Sequence, residues 1–155
     1  MKYLSISILT LLLWSCSNDS KEASSEYVIW DGPKIEFTKE GGTDPKLEKN
    51  QDKITASVAI TRGNSGGEIY NALLEDRSAK GFSPLGTEWA LGEISDIATL
   101  SFSSFRKTVG SPKQVVGKSL VLHLLAEDVY LSVKFSDWGE GNNNGSFSYE
   151  RSTED

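Results

Sequence analysis

The residues able to do chemistry are few and scattered. Ser65 stands in the run Gly63-Asn64-Ser65-Gly66-Gly67, His123 is the only histidine, and Cys16 is the only cysteine. A serine nucleophile needs a base within hydrogen-bond reach and a third group to orient that base. Asp137, Glu140 and Asn142-Asn143-Asn144 fall on one glycine-rich stretch and offer oxygen ligands of the kind Ca²⁺ takes, but not at EF-hand spacing. Asp44, Asn50 and Asp52 form a looser set of the same kind. Asn, Asp and Gly also accommodate turns, and that reading explains both stretches without a metal. Trp30, Trp89 and Trp138 are candidates for a sugar-stacking platform, although large aromatics in a small β domain more often fill its core. Glu68, Glu88 and Asp137 are the carboxylates that a glycosidase pair would draw on.

The run around Ser65 resembles the sequence at the nucleophile of trypsin-like serine proteases. That family places its histidine well before the serine, whereas His123 follows Ser65. The chain between Cys16 and Arg62 is also too short for the first barrel of such a protease. The expected role of residues 63–67 is therefore a glycine-rich turn. His123, inside the most apolar run of the chain, is expected to be a hydrogen-bonded core or edge residue rather than a metal ligand.

Cys16 has a clearer context. Lys2 precedes the apolar segment 4–13, LSISILTLLL. That segment is about half the ~20 residues a transmembrane helix needs, and it suits the apolar core of an export signal. It ends in Leu13-Trp14-Ser15-Cys16, which resembles a bacterial lipobox, with Trp14 departing from the usual small residue. The resemblance implies cleavage before Cys16, diacylglycerol on its sulfur and acylation of the new amino terminus. Each buried methylene contributes about 0.8 kcal/mol, so two or three acyl chains hold where one is marginal. Residues 1–15 thus read as signal peptide and 16–26 as lipidated cysteine and polar tether. The expected location is the cell envelope at the outer membrane, with the side that the domain faces left open.

The chain has 155 residues and a formal charge of −6, with acidic and basic groups interspersed. Acidity without a basic stripe argues against nucleic acid as a partner. A lone cysteine excludes an internal disulfide and any thiolate-rich metal site. No cofactor is expected.

The elements that must position these residues read as β-structure. Residues 119–138, SLVLHLLAEDVYLSVKFSDW, form two apolar runs joined by Ala126-Glu127-Asp128. In the second run Val129, Leu131, Val133 and Phe135 alternate with Tyr130, Ser132, Lys134 and Ser136, the pattern of a half-buried strand. The first run is apolar on both faces, so it should lie centrally in a sheet. Further strands are expected at 27–30, 34–38, 54–61, 87–94, 97–102 and 146–150, with 68–74 either strand or helical turn and 39–53 loop. Ser104 and Ser111 are expected to cap short helical turns at 105–109 and 112–116. The prediction is one all-β sandwich or barrel-like domain over 27–150, of eight or nine short strands with one or two helical turns, followed by a polar tail at 151–155.

Four segments together, ITRGNSGGEIYN (60–71), GTEWALG (86–92), 105–138 and GSFSYERST (145–153), resemble a group of uncharacterised secreted bacterial proteins, many of them from Bacteroidetes. The resemblance implies a secreted domain and carries no activity or site residue. The expected function is that of a lipid-anchored binding module for glycan or another envelope protein. The alternatives are a polysaccharide- or peptidoglycan-acting hydrolase and a structural subunit of an envelope complex. Loops carry ligands more often than strands do. The candidate ligand residues are accordingly Arg62, Asn64, Trp138, Glu140 and Asn142, provided that the loops at Gly63 and Gly139 meet.

Overall fold

The computed structural model describes residues 27–140 and 145–155. Cys16 and Asn142 lie outside the described residues. Among the described residues nine strands form two sheets. The strands are β1 (Val28–Trp30), β2 (Ile35–Lys39), β3 (Asp52–Lys53), β4 (Ala59–Arg62), β5 (Ile69–Asn71), β6 (Thr87–Leu91), β7 (Ser119–Leu124), β8 (Val129–Trp138) and β9 (Phe147–Arg151). The larger sheet runs β2-β9-β8-β7-β6, and β1 joins it parallel to the first residues of β8. All its other pairings are antiparallel. The smaller sheet runs β3-β4-β5. The two remain open sheets and do not close into a barrel.

Alternation places the core. Val129, Leu131, Val133 and Phe135 of β8 are buried beside Leu120, Leu122 and Leu124 of β7. Against this face pack Val58, Ile60 and Ile69 from the smaller sheet and Phe105, Val109 and Val115 from the α1 region. The helix α1 (Phe105–Val109) is a single turn that ends at Gly110, whose φ of 76° suits glycine. As expected, β7 is central and buried on both faces: Val121, opposite the leucines, is fully covered. The outer face there lies under the 3₁₀ segment Ile94–Thr99 and Phe102.

Three local expectations are corrected. The span 54–61 is not one strand: the Thr55 hydroxyl accepts the amides of Ser57 and Val58, each at 3.2 Å, and turns the chain between β3 and β4. A hydroxyl that bonds nearby backbone competes with the ladder. Residues 97–102 are not strand: 97–99 end the 3₁₀ segment Ile94–Thr99, closed by the Leu100 amide on the Ile97 carbonyl, and 100–102 are irregular. Neither Ser104 nor Ser111 makes a side-chain capping bond.

One departure from alternation matters for the site. Parity would set Trp138 with Tyr130 and Ser132 on the outer face of β8. A bulge between Phe135 and Asp137 breaks the register with β9, so that Trp138 turns inward and is buried against Phe105 and Phe135.

The two sheets are also joined by charge. Asp52 of β3 takes two bonds from Arg151 of β9, at 2.6 and 2.8 Å, and a third from the Tyr149 hydroxyl at 2.6 Å. All three residues are buried. Burial beside Asp52 holds the Tyr149 phenol well above its ordinary pKa.

Candidate functional site

The chain leaves β4 at Arg62 and returns into β5 at Ile69, its register partner. Gly66 and Gly67 take φ of 86° and 87° in succession, a pair of conformations that side chains resist. The second glycine-rich loop begins at Gly139, beyond the end of β8. The two loops meet. A Cβ placed on Gly145 would overlap the Gly63 carbonyl oxygen.

Arg62 fastens them together. Its Nε donates to the Gly67 carbonyl at 3.1 Å, and its Nη1 donates to the Gly139 and Ser146 carbonyls at 2.9 and 2.8 Å. The guanidinium carbon lies 4.0 Å from the centre of the Trp138 ring, a cation–π contact on the desolvated side. Burial lowers the Arg62 pKa to about 10, with Asp137 opposing the shift. Behind the loop, Lys39 is wholly buried, and its ammonium donates to Asn64 Oδ1 at 3.0 Å and to the Glu40 carbonyl at 3.3 Å. Desolvation, then the nearby Arg62 charge, lowers the Lys39 pKa.

In front lies an open cleft of about 370 Å³. Arg62, Ser65, Gly67 and Gly139 form one wall, and Arg106, Ser111, Lys113 and Glu140 line the rest. Arg106 is paired with the buried Glu68, whose carboxylate also accepts the Gly81 amide. Lys113 and Glu140 form an exposed pair at 3.3 Å.

Arg62, Trp138 and Glu140 therefore come together, with Asn64 directly behind them on Lys39. Asn142 lies outside the described residues. Trp138 differs from a stacking platform in that one face carries Arg62 and the ring is almost entirely covered. Trp89 is likewise core, in edge contact with Phe105.

Ser65 has no imidazole beside it. His123 stacks on Tyr130 with ring centres 4.1 Å apart, and its Nε2 sits 2.8 Å from Asp128 Oδ1. From Tyr130 to Trp138 the strand covers about 26 Å at ~3.3 Å per residue, so the two residues occupy opposite ends of β8. Glu88 is the register partner of His123 and shares its end, while Glu68 and Asp137 belong to the cleft end. Glu88 is thus separated from the other two carboxylates considered for glycoside cleavage. Asp52, one of the looser set of oxygen ligands, is committed to Arg151 and Tyr149.

Sequence reasoning missed Lys39 and Arg106. Lys39 had a usable signal, because it continues the Ile35–Phe37 alternation inward. Arg106 had none, since its role depends on Glu68 from a distant turn. Compared with protein-family models, curated proteins and solved structures, the chain matches none.

Proposed function

We propose that this protein is a lipid-anchored binding module of the cell envelope, attached through acyl chains on Cys16, with its ligand held in the cleft between the 63–67 loop and the loop that begins at Gly139. One observation carries the choice of site. A single buried guanidinium ties both loops to a buried indole ring, so one wall of the cleft is held in place before any ligand arrives, and preorganisation is what a polar binding site requires.

The lining favours a hydrophilic ligand. Apart from Pro112 it consists of glycine, serine and charged residues, unlike the apolar centre of a protein–protein contact. A glycan is therefore preferred over an envelope protein as the partner. The polarity of the domain agrees with an anchor. Tyr27 and β1 enter beside Val129, at the start of β8, whereas the cleft lies at the other end of that strand. A tether from Cys16 to Tyr27 would leave the cleft facing away from the lipid.

The test has two arms. Full-length wild type is expected in the membrane fraction with the mass of an acylated cysteine, and Cys16→Ala in the soluble fraction; identical soluble partitioning of both rejects the anchor. On a glycan array the full chain is expected to bind a subset of sugars, and an array without any binding rejects the module.

A further inference from the structure

Resting on the binding-module reading, we infer that the sugar held in this cleft carries an acidic group, a carboxylate or a sulfate ester, that sits against Arg62, Arg106 and Lys113. Burying a cation without a counter-charge is costly, and proteins normally pair it. Among the described residues buried Arg151 is paired with Asp52, and half-buried Arg106 with Glu68. Lys39 and Arg62 form no direct ion pair among the described residues, and Asp44 and Asp137 act on them only from a distance.

Both are buried, burial lowers the pKa of each, the Arg62 charge lowers that of Lys39 further, and every hydrogen bond either makes is to a neutral oxygen. Among the described residues neither contacts a carboxylate.

Of the two, Arg62 lines the cleft. Arg62 Nη1 and Nε are occupied, and Nη2 makes no hydrogen bond among the described residues although the side chain lines the cleft. Arg106 adds a guanidinium engaged through Nε, Lys113 an ammonium, and Ser65 and Ser111 two hydroxyls. A planar oxyanion suits guanidinium donors, and hydroxyls suit the remaining sugar oxygens. Among the residues that line the cleft Glu140 is the one acid, exposed and held by Lys113, while Glu68 behind Arg106 and Asp137 near Arg62 offset part of the positive charge. In a chain of net charge −6, this local excess of cations runs against the average of the molecule.

The experiment titrates the detergent-extracted full-length protein with trigalacturonate, with a sulfated trisaccharide and with neutral maltotriose. Either or both acidic sugars should bind, more weakly as salt is raised, and maltotriose should not; which of the two binds identifies the acid. Lys113→Glu should weaken binding about fivefold, and Glu140→Gln should strengthen it by a similar factor. Both positions are exposed, so neither variant threatens folding, and a gain of affinity in Glu140→Gln would not arise from a structural role. Binding of neutral sugar only, indifferent to both variants, overturns the acidic ligand and leaves the module intact. Acidic-sugar binding that neither variant changes overturns the site. Binding of no sugar here, with none on the array, overturns both readings.

Discussion

Two buried polar side chains, Asp52 and Asn71, fix the arrangement of this domain where apolar packing alone is not directional. Asp52 reaches from the smaller sheet into the larger one and accepts all its bonds from Arg151 and Tyr149. Asn71 uses both ends of its amide: Oδ1 accepts the Ala59 and Leu73 amides, and Nδ2 donates to the Ser57 and Leu85 carbonyls. A fully satisfied buried network specifies one arrangement, and a half-satisfied one is worse than none. Removing one partner of a buried ion pair leaves the other charged and unpaired. Asp52→Asn should therefore lower unfolding free energy by about 3–5 kcal/mol in denaturant titration. A loss below about 1 kcal/mol would mean that Arg151 finds water or another acceptor. None of this was legible in the sequence. Asp52 sat in a stretch that reads as polar loop, and Arg151 at what reads as the beginning of a tail, because a partner on a distant strand leaves no local pattern.

Elements were easier to read, and the reason is periodicity. β8 obeys period two up to its bulge, which gave its inward set, and β7, apolar on both faces, read as a central strand from residue types alone. Reading failed where a side chain overrides the ladder. Thr55 turns the chain by bonding to its own neighbours, and the bulge at Phe135/Asp137 reverses the facing of everything after it. That reversal brings Trp138 under Arg62, so the candidate site depends on a feature invisible to alternation. The glycines of the two loops were legible as turn formers, but their contact was not. Gly145 has φ of 72° and lies against Gly63 too closely for any Cβ. Gly145→Ala should push the loops apart: ligand affinity should fall at least about tenfold, with a stability loss of roughly 1–3 kcal/mol from the strained backbone. Unchanged affinity in a folded Gly145→Ala protein would show that the loop contact does not shape the cleft.

At the scale of the whole molecule the domain has two unlike ends. At the hairpin end β1 enters, His123 stacks on Tyr130, and Tyr27 closes edge-on over the same ring. At the far end of β8 the charged cleft opens between two glycine-rich loops. The first end is the one that a lipidated Cys16 would hold near the membrane, and the second would reach outward. The account's central claim is that ligand is held at the second end. Hydrogen–deuterium exchange of the full chain with and without trigalacturonate tests it most directly. Protection is predicted in 62–67, 106–113 and 139–147, with the hairpin around 123–130 unchanged. Protection centred on the hairpin end, or on neither end, would contradict it.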